Sequence, residues 1–218
     1  MMTAMLAAKG IVLSPATVHK YMNAELGLRS VTRKPKYHYA KGGEPHEVFE
    51  NLLEQDFSAG SRNQKWCTDF TCLFLDNGAK RYNCTVLDLY SREVVASKVG
   101  RRITAELARE TLEAAMNRAD HPQGVILHSD QGSQFTSREF IEFCRSKGII
   151  QSMSRAGCPY DNAPMERYFN TLKAEEINLH SYHTDEELDA SITSFAFGWY
   201  NNVRPHTYNN NLPPCKVV

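Results

Sequence analysis

A chain of 218 residues with 42% hydrophobic and 23% charged residues is long enough for one sizeable core, or for one domain with a small appendage. A formal net charge of zero argues against a uniformly basic nucleic-acid binder. Six scattered cysteines with no CxxC pair exclude zinc-finger spacing and a disulfide framework, and point to reduced thiols in a cytoplasmic protein. No apolar run reaches the ~20 residues of a membrane span, and MMTAMLAAKGIVL lacks the basic leading region of a signal peptide.

The charge is unevenly spread. Residues 1–41 hold Lys9, Lys20, Arg29, Arg33, Lys34, Lys36 and Lys41 against Glu25 alone, so a basic arm precedes a mildly acidic body. Such an arm suits phosphate, although a solvated basic segment explains the charge equally well. In chain order, residues 1–29 read as helical. Ser14-Pro15 is an N-cap with proline in the first turn, Val18, Tyr21, Met22 and Leu26 make an apolar stripe, and Gly27 is a stop. Thr17, His19 and Lys20 then lie on the outer face, as at the end of a helix-turn-helix, or of an ordinary amphipathic helix. Residues 42–64 continue a polar linker with one short helix predicted at Glu47–Asp56.

From Lys65 the pattern changes to strands at 66–75, 81–89 and 93–99, joined by short turns in an antiparallel meander. A helix over Thr104–Ala119 follows, then a short buried strand at 124–129, a helix at Ser137–Lys147 and a strand at 149–153. A long helix at about Asn162–Ile177 and another at Thr184–Asn202 complete the order. The domains are therefore 1–41 (partial helix-turn-helix and basic arm), 42–64 (linker), 65–212 (core) and 213–218 (tail). This order describes an α/β, ribonuclease H-like fold: a mixed five-stranded sheet flanked by helices, with a small N-terminal helical segment.

Three acidic residues stand out. Asp69 lies inside a strand (WCTDFT), where aspartate is disfavoured. Asp130 ends an apolar strand (LHSDQGSQFTS), where ligands gather in open α/β sheets. Glu166 lies within the third core helix, sharing a face with Asn162 and Lys173. If the first and fourth strands adjoin, the two aspartates become neighbours whose repulsion a divalent cation relieves. An all-oxygen set of this kind suits Mg²⁺ or Mn²⁺.

The stretches WCTDFT, LDLYSREVV, HSDQGSQFTS, CPYDNAPMERYFNTLKAE and YNNVRPH resemble insertion-sequence transposases related to retroviral integrases, the DDE group of insertion-sequence family 3. Asp130 and Glu166 have that group's spacing, with 35 residues between them. The resemblance covers about residues 60–212. It implies that Asp69, Asp130 and Glu166 are catalytic and hold two Mg²⁺ (or Mn²⁺) ions, and that Lys173 contacts DNA at the element's end. It implies DNA cleavage and strand transfer by a homo-oligomer on DNA in the bacterial cytoplasm, associated with the nucleoid, with a first-frame helix-turn-helix protein as a partner. Gln131, beside His128 and Gln134, either orders the site or touches DNA. Arg204 either meets phosphate or caps its helix, while Asn162 and Lys20 complete the expected DNA contacts. Against that pattern the chain begins inside the helix-turn-helix and stops soon after NLPPCKVV. The alternative expectation is therefore a shortened, non-catalytic DNA-binding regulator of transposition, and a nuclease for RNA–DNA hybrids is the remaining rival.

Overall fold

The computed structural model describes residues 1–28 and 47–217. The basic run from Arg29 to Lys41 and the start of the linker lie outside the described residues. Helix α1 spans Met2–Ala8 and α2 spans Pro15–Lys20, continued by a wider π-helical turn over Tyr21–Glu25. Ser14 caps α2 as expected, its Oγ accepting from Thr17 N at 3.1 Å. Gly27 follows at φ 64°, a left-handed stop that costs glycine nothing.

The core is a five-stranded mixed sheet: β1 Lys65–Phe74, β2 Lys80–Asp88, β3 Val94–Gly100, β4 Ile126–Ser129 and β5 Ile150–Met153. The spatial order is β3-β2-β1-β4-β5. The first three strands form the expected antiparallel meander, and β4 and β5 join it in parallel. Helices α3 (Ala105–Arg118) and α4 (Arg138–Ser146) cover one face, α5 (Ala163–Glu175) and α6 (Asp185–Thr193) the other. Thr104, Ser137 and Thr184 cap three of these helices through their hydroxyls. One core layer packs Trp66, Leu112, Phe135 and Phe140 beneath α3 and α4. The other packs Cys67, Leu87, Tyr168, Leu172 and Phe195 beneath α5 and α6. Along β1 these two sets alternate, as a strand with both faces covered requires. No helix among the described residues is long and apolar enough to cross a membrane.

The helix predicted at Glu47–Asp56 does not form. Its backbone groups are used elsewhere. Met153 N donates to Glu50 O at 3.2 Å and Leu52 N to Ser152 Oγ at 2.9 Å, so the segment lies along the outer edge of β5. Asn51 Oδ1 accepts from the amides of Leu53 (3.1 Å) and Glu54 (2.9 Å), a side-chain turn that competes with helix. Glu54 and Gln55 then adopt φ of 45° and 66°.

Asp161 ties this strap to the loop ahead of α5. Its fully buried carboxylate accepts from Arg155 Nε (3.0 Å) and Nη2 (3.1 Å), Arg155 N (3.0 Å), Asn51 Nδ2 (3.0 Å) and Gln55 Nε2 (2.8 Å). The Arg155 guanidinium, with help from Gln55 and the Arg155 amide, holds this carboxyl far below the usual range against the opposing effect of burial. A depressed folded-state pKa stabilises the protein above the unfolded value of about 4, and that contribution fades as pH falls further. Asp161→Asn should therefore lower unfolding stability at neutral pH by about 2 kcal/mol in urea titrations. The gap between the two proteins should narrow as pH drops below about 4.

Candidate active site

Parallel pairing of β1 with β4 sets Lys65 against Ile126, Trp66 against Leu127 and Cys67 against His128. Two residues further along each strand stand Asp69 and Asp130. The register therefore brings them level, just where the strands stop pairing. Strand alternation gives Asp69 the same face as Cys67, which packs under α5. As pairing with β4 ends, Asn162 Nδ2 donates to Thr68 O at 3.3 Å and helps fix the start of α5 over the strand ends. Glu166 lies in the first turn of α5, where the helix dipole favours a carboxylate.

Asp69, Asp130 and Glu166 line one cleft of about 430 Å³, together with Gln131, Gly132, Arg155, Cys158 and Asn162. All three carboxylates are half-buried. Asp69 Oδ1 accepts from Phe70 N at 2.7 Å and Asp130 Oδ1 from Gly132 N at 2.9 Å. The second oxygen of each aspartate, and the whole Glu166 carboxylate, has no hydrogen-bond or ion-pair partner among the described residues. Burial, then the charge of Asp130, raises Asp69 well above an ordinary carboxyl. Burial also raises Asp130 and Glu166. Three acids are thus held at a cost to their ionised forms, which a cation would offset.

Lys173, two turns along α5, is half-buried and is not part of the cleft lining. Burial lowers its pKa, while the charges of Cys72 and Asp69 pull it back up. Gln131 lines the cleft with its Nε2 donated to Ser154 O at 3.0 Å. Asn162 is 5% exposed, and its Oδ1 is buried with no partner among the described residues. Arg204 is engaged elsewhere, forking onto Glu175 at the end of α5 through Nε (2.9 Å) and Nη2 (2.8 Å). Lys20 is exposed on α2 and does not line the cleft. His128 is fully buried between Ser152 Oγ (2.8 Å) and Ser154 Oγ (3.1 Å), and burial lowers its pKa to about 4, so it is a neutral support. Sequence reasoning missed Asp161 and Arg155. The usable signal was an aspartate just ahead of a helix start, which reads as a cap and proves to be a buried hub.

The donor set suits a hard divalent ion: oxygen only, three carboxylates, each with an unpartnered oxygen. Among the described residues no three His, Cys, Asp or Glu side chains are gathered closely enough to enclose one ion as they stand. The fit is therefore one of chemistry and placement.

The family model for the integrase core domain matches residues 60–159, and a second model of the same description matches 147–214. Transposase InsF of insertion sequence IS3A from Escherichia coli K12 is 39% identical over 167 residues, covering 77% of this chain and 58% of that protein. InsF of IS3fB from the same strain is 37% identical, covering 96% of this chain and 72% of that protein. The transposase of IS904 from Lactococcus lactis is 35% identical over 94% of this chain and 80% of its own length. The chain thus spans a little over half of InsF of IS3A. Among solved structures, a simian T-cell lymphotropic virus intasome chain superposes with TM-score 0.58 at 19% identity, over 94% of this chain and 74% of that one. The catalytic core of HTLV-2 integrase, solved with magnesium, gives 0.55 at 18% identity, over 71% and 95%. The Mos1 transposase catalytic domain gives 0.54 at 14% identity, over 62% and 72%. These structural likenesses carry the ribonuclease H-like fold, and the sequence relatives carry more: this chain belongs to the IS3-type insertion-sequence transposases and has their integrase core domain.

Proposed function

We propose that the chain is the catalytic core of a transposase that cleaves DNA at the ends of its element and joins the freed 3′-hydroxyl to a second phosphodiester. The observation that carries this reading is the placement of Asp69 and Asp130, level on adjoining parallel strands, with Glu166 in the same cleft. In this reading Asp69, Asp130 and Glu166 would hold two Mg²⁺ or Mn²⁺ ions. Bound metal supplies charge stabilisation at the attacking and leaving oxygens of an in-line displacement. The protein holds the phosphodiester in line over the cleft and offers no nucleophile of its own. In the first step water attacks the phosphorus and the 3′-oxygen leaves. In the second, that 3′-hydroxyl attacks a new phosphodiester and another 3′-oxygen leaves.

Lys173 would meet a phosphate beside the cleft. Its half-buried ammonium forms no ion pair within 4 Å among the described residues, and its charge is felt at Asp69. Gln131 and Asn162 line the cleft and would order the strand there. Joining two ends needs two active sites brought together, so the working form is a homo-oligomer on DNA. A first-frame helix-turn-helix protein is the proposed partner in end recognition.

The test is a cleavage and strand-transfer assay on labelled duplexes carrying the inverted repeats that flank the gene, with Mg²⁺ or Mn²⁺. Glu166→Gln should lower both products by at least about a hundredfold, with the melting temperature and DNA affinity nearly unchanged. Full activity in that variant would remove Glu166 from the site. Chelation of the divalent ion should stop both steps. DNA binding with no metal-dependent product from the unmutated chain would favour a regulator that occupies ends without cutting them. Lys173→Ala should reduce the slope of log affinity against log salt by about one unit. An unchanged slope would argue against a phosphate contact at Lys173.

A further inference from the structure

A second cavity, of about 210 Å³, lies on the neighbouring face of α5. Arg92, Arg167, Tyr200, His206, Tyr208 and Pro164 line it. Arg167 follows Glu166 in sequence, so the two side chains leave the helix about 100° apart. The cavity and the catalytic cleft thus flank the first two turns of one helix.

Its wall carries donors without acceptors. Arg92 is 8% exposed, yet its Nη1 is buried with no hydrogen-bond partner among the described residues. The guanidinium donates from Nη2 to Phe57 O at 3.1 Å and sits 3.9 Å from the Tyr208 ring centroid. It has no carboxylate partner among the described residues. His206 Nδ1 is likewise buried and unpartnered among the described residues. The other ring nitrogen, Nε2, is 3.0 Å from Tyr200 Oη. When the Tyr200 hydroxyl donates to Nε2, Nδ1 carries the ring proton and becomes a second orphaned donor. Burial lowers the His206 pKa to about 4, and the positive charges of Arg204, Arg92 and Arg167 add to that effect. Glu175 opposes it, but Glu175 is already forked by Arg204. Arg167, exposed at the rim, has no ion pair among the described residues either. A pocket with two uncompensated guanidiniums and orphaned N–H groups calls for an oxyanion.

We propose that this cavity is a phosphate-binding site, in which Arg92 and His206 hold the phosphate oxygens from within and Arg167 meets them at the rim. A phosphate there comes either from the backbone of a nucleic-acid strand crossing the start of α5 or from free phosphate. The site rests on the transposase reading for the first source alone, and its binding test needs neither metal nor catalysis.

Histidine-labelled protein in metal-free buffer would be titrated with inorganic phosphate and, separately, with a short DNA duplex at matched ionic strength. The His206 signals, assigned with His206→Gln, are the local reporter. Phosphate should move them to saturation, where chloride does not. Arg92→Gln should weaken that response by about tenfold, the equivalent of one charge-assisted hydrogen bond, and Arg167→Ala should weaken it by a smaller factor. The other histidine signals verify that each variant is folded, and Arg167, being exposed, gives a variant that does not depend on the core. A duplex that moves the same signals and competes with phosphate identifies the DNA backbone as the source. A response to phosphate alone identifies the free ion. No movement of His206 with either probe, or an undiminished response in folded Arg92→Gln or in Arg167→Ala, would overturn the site.

Discussion

The parallel register between β1 and β4 is the constraint on which the rest of the site depends. It runs for three residue pairs and then ends, leaving Asp69 and Asp130 level where the strands part. Neighbouring strands lie about 4.8 Å apart. Two unit charges at that spacing repel by about 3.5 kcal/mol at the effective dielectric of a protein surface. A fold that selects this arrangement holds two half-buried carboxylates against their own repulsion. Asp69 shows the consequence most clearly, since burial and Asp130 together drive its pKa upward. Adding Glu166 from α5 makes the need for a compensating cation greater.

The surroundings keep that cleft in shape with neutral or internally balanced groups. His128, directly behind Asp130, is uncharged and pinned by two serine hydroxyls. Asp161 is charged but satisfied by Arg155 and two side-chain amides. Asn162 links the start of α5 to β1. The YNNVRPH segment runs along the same helix, with Arg204 forked onto Glu175 at its far end and the Tyr200–His206 pair against its first two turns. The helix carrying Glu166 is thus fixed at both ends by polar contacts and along its length by Tyr168 and Leu172 in the core. Among the described residues, charge without a partner gathers in the cleft and in the Arg92 pocket beside it.

Much of this was legible in the sequence because the signals were local. The Ser14 cap, the Gly27 stop, the antiparallel meander and the helices expected at Thr104–Ala119 and Ser137–Lys147 each depend on neighbours in the chain, and each appears close to where expected. The adjacency of the first and fourth strands was posed as a condition, and the sheet order meets it. The Glu47–Asp56 helix failed because its fate was decided at a distance. Helical propensity does not reveal that β5 and Asp161 would claim its backbone and side chains. The role of Asp161 was hidden for the same reason, since its partners Asn51 and Gln55 lie more than 100 positions away. The Arg92–His206 pocket joins residues from a turn and a distant C-terminal motif, and no periodicity marks such a pair.

The central claim is that Asp69, Asp130 and Glu166 act together to hold divalent cations. Its most direct test is calorimetric titration of the folded chain with Mn²⁺, compared with Asp69→Asn, Asp130→Asn and Glu166→Gln. The account predicts saturable binding in the unmutated protein, weakened by at least about tenfold in either aspartate variant and by a smaller factor in Glu166→Gln. Undiminished Mn²⁺ binding in Asp69→Asn and Asp130→Asn, or no binding in the folded unmutated chain, would contradict it.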